Sequence, residues 1–263
     1  MLLAIDVGNT NIVLGVFDGA RLTHSWRLAT LRERTADELG ILLRQLFASI
    51  AVDPARVGGI IISSVVPPLT RSIEEMARQY FGREPMTVDP GTNTGMPVRY
   101  SPPSDVGADR VVNAVAAYEL FGRAEGVPVI VVDFGTATTF DAISAAGEYV
   151  GGVICPGIGI SADALFQRAA RLPRVDVRKP PSIVGGTTVT SMQAGLFFGY
   201  VSMVDGIVAR MRAEIPAGDK AACVATGGMA EVLAGETSAI ERVEPDLTLQ
   251  GLRLIWGRAR GKA

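Results

Sequence analysis

A short apolar run ending in an acid, a glycine and small polar residues occurs twice in this chain. The first copy is Leu2-Leu3-Ala4-Ile5-Asp6-Val7-Gly8-Asn9-Thr10-Asn11. The second is Val129-Ile130-Val131-Val132-Asp133-Phe134-Gly135-Thr136-Ala137-Thr138-Thr139. Each run is too short for a helix and reads as a buried strand that carries its acid to the exposed tip. A turn follows whose backbone a ligand can approach closely. Asp133 follows Asp6 by 127 residues in a chain of 263, close to half its length. Each copy continues into a second apolar strand and a turn, Phe17-Asp18-Gly19 and Ala146-Gly147-Glu148. Taken alone, one such turn is an ordinary hairpin, because Gly and Asn accept positive φ and Asp bonds its own backbone. Two at half-chain spacing describe a duplicated α/β chain. Turns of this kind offer N–H groups and hydroxyls to phosphate oxygens, leaving the acids to manage a cation.

The length suits one large or two medium domains with real cores. Apolar residues at 48%, aromatics at 6% and 30 glycines fit an α/β enzyme with many tight turns. A net charge of −2 argues against the basic field of a nucleic-acid binder, so no nucleic-acid partner is expected. The terminal basic cluster Arg253, Arg258, Arg260 and Lys262 reads as a solvated helix face and tail. Cys155 and Cys223 sit in apolar, strand-like runs, which argues against a disulfide framework or a zinc site and favours a reducing compartment. Asp6 interrupts the first apolar run too early for a signal peptide. No segment is expected to reach the ~18 uncharged apolar residues of a membrane span. The expectation is a cytoplasmic protein without a membrane partner.

Along the chain, strands are expected at Leu2–Val7, Ile12–Phe17 and Arg21–Leu28. Thr35-Ala36-Asp37-Glu38 is a capping box opening a helix to about residue 51. Gly59–Ser63 reads as a short buried strand, and Pro67-Pro68 opens a helix through Tyr80. A short strand at Pro85–Val88 precedes a Pro-, Gly-, Asn- and Ser-rich loop from Asp89 to Ala108, a length that is usually functional. A helix from Asp109 to Phe121 closes the first half, and Gly122–Gly126 reads as a linker. The second half repeats the plan, with strands at Val127–Asp133, Ala137–Ile143 and Tyr149–Ile154 and a helix from Ser161 to Arg171. One long helix is expected from Thr188 to Ile215, nearly all apolar over Leu196–Val204, as for a helix buried between elements or subunits. A strand at Ala221–Thr226, a Gly227-Gly228 turn and a last helix over Leu247–Arg258, which could pack back on the first half, complete the chain. The domain expectation is 1–122 and 123–263, two halves of a split architecture of the actin, hexokinase and Hsp70 type with nucleotide in the cleft between them.

Other phosphate-binding folds fit less well. There is no Gly-x-x-x-x-Gly-Lys-Ser/Thr, no Gly-x-Gly-x-x-Gly after the first strand and no Gly-x-Ser-x-Gly. The one histidine, His24, lies in a polar-alternating strand beside Trp26 and reads as a surface or edge residue, so a histidine-activated nucleophile is not expected. A carboxylate is the leading candidate for a base. Asp109, in Gly107-Ala108-Asp109-Arg110, has two readings: a helix N-cap, or an acid that accepts a hydroxyl proton while Arg110 holds an anionic group.

Nearly end to end, the chain resembles the type III pantothenate kinases of the actin-like (ribonuclease H-like) superfamily. The segments that carry the resemblance are Asp6-Val7-Gly8-Asn9-Thr10-Asn11, Gly107-Ala108-Asp109-Arg110, Asp133-Phe134-Gly135-Thr136-Ala137-Thr138, Gly151-Gly152-Val153-Ile154-Cys155-Pro156-Gly157, and Thr188 ahead of Ser191-Met192-Gln193. Thr187 stands where the family has asparagine. The resemblance implies ATP-dependent phosphorylation of pantothenate to 4′-phosphopantothenate, the first step of coenzyme A synthesis, with Mg²⁺ or another divalent ion. It implies a first phosphate loop over Asp6, Val7, Gly8, Asn9, Thr10, Asn11, Ile12 and Val13, with Asp6 near the metal, and a phosphate contact from Thr136. It matches Asp109 to the general base, and Tyr100, Gly107, Ala108, Asp109, Arg110 and Thr188 to the pantothenate site. Asp133 matches a ligand of a monovalent cation, K⁺ or NH₄⁺, and the family forms homodimers. Gly227-Gly228 would let the backbone pass close to adenosine.

Two other readings stand beside this one. Some relatives are described as accessory transcription factors, which would bind nucleotide without turnover. A kinase of another alcohol is the second; sugar kinases of the superfamily carry Asp-x-Gly-Gly-Thr, whereas Asn9 stands here at the second glycine.

Overall fold

The computed structural model describes residues 1–261; Lys262 of the basic cluster lies outside the described residues. The first three strands, β1 (Leu2–Val7), β2 (Asn11–Asp18) and β3 (Arg21–Ala29), form the expected meander. Helix α1 (Ala36–Ser49) opens with the full capping box: the Thr35 side chain accepts from the Glu38 N–H, and the Glu38 carboxylate accepts from the Thr35 N–H at 2.8 Å. Strand β4 (Gly59–Ser64), helix α2 (Pro67–Phe81), short strand β5 (Met86–Thr87) and helix α3 (Ala108–Ala117) follow. α3 does not run regularly to Phe121. It widens into a π-helical turn over Tyr118–Gly122, where the Arg123 N–H donates to the Tyr118 carbonyl at 2.8 Å.

Then come β6 (Val129–Phe134), β7 (Ala137–Ile143) and β8 (Tyr149–Pro156). Helix α4 (Ile158–Arg168) starts three residues before the expected position, because extended Gly157 already serves as its N-cap. Long helix α5 (Thr188–Glu214), strand β9 (Ala222–Gly227), short helix α6 (Ala230–Ala234), short strand β10 (Arg242–Val243) and helix α7 (Leu247–Ala259) complete the order. α6 and β10 are too short for a periodicity to announce them.

The two sheets have one topology, β3-β2-β1-β4-β5 and β8-β7-β6-β9-β10. In each, a meander of three strands is extended by a fourth that pairs parallel to the first. The chain forms two compact units. One holds Met1–Met96, Ser101–Ala116 and the C-terminal segment from Leu247; the other holds Pro97–Tyr100 and Ala117–Asp246.

In the first unit, Leu3, Ile5 and Val7 turn one sheet face toward α1 and α2, where Leu39, Phe47 and Leu69 cover them. Alternation along the strands therefore puts Ala4, Asp6 and Ser63 on the opposite face. That face carries α7, whose Trp256 ring occupies the space above Gly59; a Cβ there would lie 2.1 Å from it. α3 is tied to α7 by the Thr248 hydroxyl, which donates to Asn113 Oδ1 at 2.7 Å. In the second unit, Ile130, Val132 and Phe134 face α5, and Asp133 sits on the other side of its sheet.

Over an 18-residue window α5 reaches a mean hydropathy of 1.3, long and apolar enough by composition to cross a membrane, against the expectation that no segment would. Its Leu196, Phe197, Val204 and Val208 are part of the second unit's core, which explains that composition.

Candidate active site

The first strand-end loop is a tight link between β1 and β2. The Gly8 N–H donates to the Asn11 carbonyl at 2.9 Å, closing the turn. Two bonds from the end of β3 brace it: the Thr30 hydroxyl donates to the Gly8 carbonyl at 2.7 Å, and the Thr30 N–H to the Thr10 carbonyl at 3.0 Å. Asn9 and Thr10 are left exposed at the tip, while Ile12 is packed in the core. Asp6 lies at the strand end with its parallel neighbour Ser63 on the same face. The Ser63 hydroxyl is fully buried, and its Oγ has no hydrogen-bond partner among the described residues. Such a group is rare in a native fold and commonly marks a place completed by a ligand or water.

The second loop repeats this arrangement with a hydroxyl in the matching place. Asp133 pairs with Thr226 on β9 as Asp6 pairs with Ser63 on β4. Here the surroundings are closer. Gly227 has φ +93°, and a Cβ on it would lie 2.6 Å from Asp133 Oδ1. The glycine therefore makes room for the carboxylate. Gly157 presses on the turn in the same way, since its Cβ would come 2.2 Å from the Thr136 carbonyl. The start of α4 is thus seated against Gly135 and Thr136, both exposed.

Asp109 is not the N-cap of α3. The N–H groups of Arg110 and Val111 both donate to the Gly107 carbonyl, at 3.1 and 3.3 Å, so Gly107 holds the cap position, the helix begins at Ala108 and Asp109 falls in its first turn. Its Oδ1 accepts the Arg110 N–H at 2.8 Å. A Cβ on Gly107 would lie 2.6 Å from that oxygen, so a larger residue here would displace the carboxylate. Burial pushes the Asp109 carboxyl above the ordinary aspartate range; the Arg110 N–H and guanidinium oppose this more weakly. Arg110 itself is buried.

The remaining candidate residues belong to the second unit. Tyr100 is half-buried, its ring edge-on to Tyr149 at a centroid distance of 6.5 Å. Thr187 caps α5, its hydroxyl accepting the Thr190 N–H at 3.2 Å, whereas Thr188 is exposed in the first helical turn. Thr188 lines an apolar groove of about 850 Å³ between α4 and α5, together with Leu165, Met192, Gly195, Gly199 and Tyr200. Both cysteines are free, and burial raises the Cys223 thiol to about 12. His24, on edge strand β3, is stacked on Trp26 at 6.1 Å. Among the described residues no group of three or more His, Cys, Asp or Glu side chains could hold a metal.

Residues 2–210 match the family model of the type III pantothenate kinases. The chain belongs to the type III pantothenate kinase family. It is 60% identical over 260 residues to the type III pantothenate kinase of Anaeromyxobacter sp. (strain K), covering 99% of this chain and 100% of that one. Solved structures share the fold at low identity. A conserved putative Baf family transcriptional activator from Campylobacter jejuni has TM-score 0.59 at 18% identity, over 98% of this chain and 99% of its own. A ROK family glucokinase from Streptomyces griseus has TM-score 0.53 at 14% identity, over 99% of both. The duplicated actin-like α/β architecture and the assignment to a kinase family agree with the sequence reading.

Signals missed in the sequence are of one kind. Ser63 stands in a plain strand, Asp141 inside β7, and neither belongs to a short motif. Only the pairing of strands brings Ser63 beside Asp6 and Asp141 to Tyr149.

Proposed function

We propose that this chain transfers the γ-phosphoryl group of ATP to the primary hydroxyl of pantothenate, giving 4′-phosphopantothenate, with Asp109 as general base. The observation that carries the proposal is the state of the Asp109 carboxylate. Oδ1 is held by the Arg110 N–H, and burial raises its proton affinity. A base works best when its proton affinity approaches the working pH, and desolvation moves an aspartate in that direction. Oδ2 is the oxygen left to take the hydroxyl proton. Tyr100, Gly107, Ala108, Arg110 and Thr188 bind pantothenate in this reading.

The loop Asp6 to Val13 and the Thr136 turn hold the phosphates of ATP. Most of the acceleration comes from positioning, since phosphoryl transfer asks little covalent chemistry of the protein. Asp6 holds the divalent ion, and the unpartnered Ser63 hydroxyl on the same sheet face supports a ligand there. A bound Mg²⁺ neutralises charge on the transferring phosphoryl group. Asp133 holds K⁺ or NH₄⁺ in the space that Gly227 leaves for its carboxylate. A monovalent ion balances a partly buried acid at lower desolvation cost than a second divalent ion.

The working form is a homodimer. Support comes from the apolar groove of α4 and α5, with Leu165 and Phe166 exposed beside it, a face that a second copy would cover. The cytoplasm is the compartment that fits, because it supplies ATP and keeps Cys155 and Cys223 as thiols. A regulator without turnover is not favoured, as Asp6 and Asp109 are both in place, and a kinase of another alcohol is not favoured, as Asn9 stands at the second glycine of the sugar-kinase turn. The test is incubation of purified protein with ATP, Mg²⁺, K⁺ and pantothenate. Mass spectrometry should find 4′-phosphopantothenate; ATP binding with no product would turn the assignment toward the regulatory reading.

A further inference from the structure

The segment Pro97–Tyr100 belongs to the second unit although the chain on either side of it belongs to the first. It is held there by main chain. The Tyr149 N–H donates to the Pro97 carbonyl at 2.9 Å, and the Arg99 N–H donates to the Tyr149 carbonyl at 2.8 Å. These two bonds form a parallel bridge of Val98 with Tyr149 on the outer edge of β8. The neighbouring side chains add an ion pair, Arg99 Nε to Glu148 Oε1 at 3.0 Å, and the edge-on contact of the Tyr100 and Tyr149 rings. All of these attachments run to Tyr149 or its neighbour Glu148.

Tyr149 is itself fixed from beneath. It is fully buried, and its hydroxyl donates to Asp141 Oδ1 at 2.7 Å. Asp141, also fully buried, accepts the Thr139 hydroxyl on its other oxygen at 3.3 Å. A register shift between Ala142 and Ile143 in the pairing of β7 with β8 lies between the two residues. Such an irregularity re-aims side chains, and here it brings the phenol diagonally onto the carboxylate of the adjacent strand. A buried carboxylate is costly unless it is well bonded, so the fold would keep Asp141 only with partners in place. Neither Asp141 nor Tyr149 belongs to a segment that carries the family resemblance, and neither has a role in the phosphoryl-transfer scheme.

We infer that Asp141 and Tyr149 are positioning residues for the substrate loop: the buried Asp141 carboxylate locks Tyr149, and Tyr149 pins Pro97–Tyr100 so that the Tyr100 ring is presented to pantothenate. The inference rests on the reading of Tyr100 as a pantothenate contact. Removing the phenol hydroxyl frees the ring of Tyr149 and loosens the bridge without touching Asp6, Asp109 or Asp133. Asp141→Asn is the conservative partner, because an amide oxygen still accepts the phenol proton.

The experiment joins amide exchange to kinetics in the full-length protein. For Tyr149→Phe, exchange across 97–100 should quicken about tenfold, with α5 and β6 as protected as before. The KM for pantothenate should rise at least fivefold, with kcat and the KM for ATP within twofold. Asp141→Asn should change both readouts in the same direction but less, and it serves in place of Tyr149→Phe if that variant does not fold. Unchanged exchange over 97–100 in both variants would overturn the anchor. Tyr100→Ala separates the remaining outcomes. If exchange rises and Tyr100→Ala raises the pantothenate KM but Tyr149→Phe does not, the positioning role is overturned. If neither variant changes that KM while exchange still rises, the anchor stands and the assignment of Tyr100 to pantothenate fails.

Discussion

Asp6 and Asp133 occupy the same place in two copies of one sheet, yet their surroundings differ. Both end the central strand, face away from the helix-packed core, and have a hydroxyl residue beside them on the parallel strand, Ser63 or Thr226. The tip at Asp6 is braced from β3 through Thr30 and leaves Asn9 and Thr10 exposed. The tip at Asp133 is closed in by glycines, with Gly227 against its carboxylate and Gly157 against its turn. The first unit also has a long loop and a helix, α3, that deliver Asp109. The topology of the acid is therefore the same in both copies and its neighbours are not: in the proposed reading the open tip takes phosphates and the glycine-lined one is a cradle for a cation.

The largest effect should come from the residue that has no copy. Asp109→Asn keeps the shape of the side chain and removes the base, so turnover should fall ~10²–10⁴-fold. Near-normal turnover in an assay coupled to ADP release would refute the base assignment.

Next is the contrast between the two acids. Asp133→Ala should reduce activity in K⁺ to that of the wild type in Na⁺ at matched ionic strength and abolish the dependence on the ion. Asp6→Asn should lower turnover in both salts alike. Equal wild-type rates in K⁺ and Na⁺ would remove the distinction between the tips.

Smaller, and measured on stability alone, is the effect of Gly227→Ala. The residue sits at φ +93° and its new methyl group would meet Asp133 Oδ1. A loss of about 1–3 kcal/mol is expected, seen as a lower midpoint in urea. A wild-type midpoint would mean that the cradle is not held closed by the glycine.

The smallest effect is a dependence on pH. Because burial raises the Asp109 pKa, the folded state binds this proton more tightly than the unfolded chain does. Its contribution to stability is fully present below the unfolded value, about 3.9, and is lost as pH rises through the higher folded value. Asp109→Asn should therefore gain stability relative to the wild type as pH rises above the ordinary aspartate range in urea melts. For the same reason kcat/KM in the wild type should fall on the acid side at a pH above the ordinary aspartate range. No change in the stability difference with pH would show that the carboxylate is not desolvated.

Much of the fold was legible because its signals are local. The capping box at Thr35 and Glu38 needs four residues, the meanders need alternating runs, and the Pro67-Pro68 start needs only the missing N–H groups. The candidate site was legible where its residues lie together in sequence, as in Asp6–Asn11 and Gly107–Arg110. Gly227 was legible only in part. As a turn residue it suggested a passage for adenosine, while the room it leaves for a carboxylate 94 residues earlier in the chain, Asp133, appears only in the fold.

The sequence by itself determined that the chain is duplicated, that each half ends a central strand in an acid and a small polar turn, and that it holds a single histidine, on a polar-alternating strand. Apolar runs, alternation and short motifs carry that information because neighbouring residues share one backbone geometry. Only the tertiary structure decided that α7 packs on the first sheet, that Thr187 rather than Thr188 caps α5, and that Asp109 lies inside a helix rather than at its cap. It alone set Ser63 beside Asp6 and Asp141 under Tyr149. Those facts depend on which surfaces exclude water together and which hydroxyl reaches which carboxylate, and residues far apart in the chain meet only once the sheets have formed.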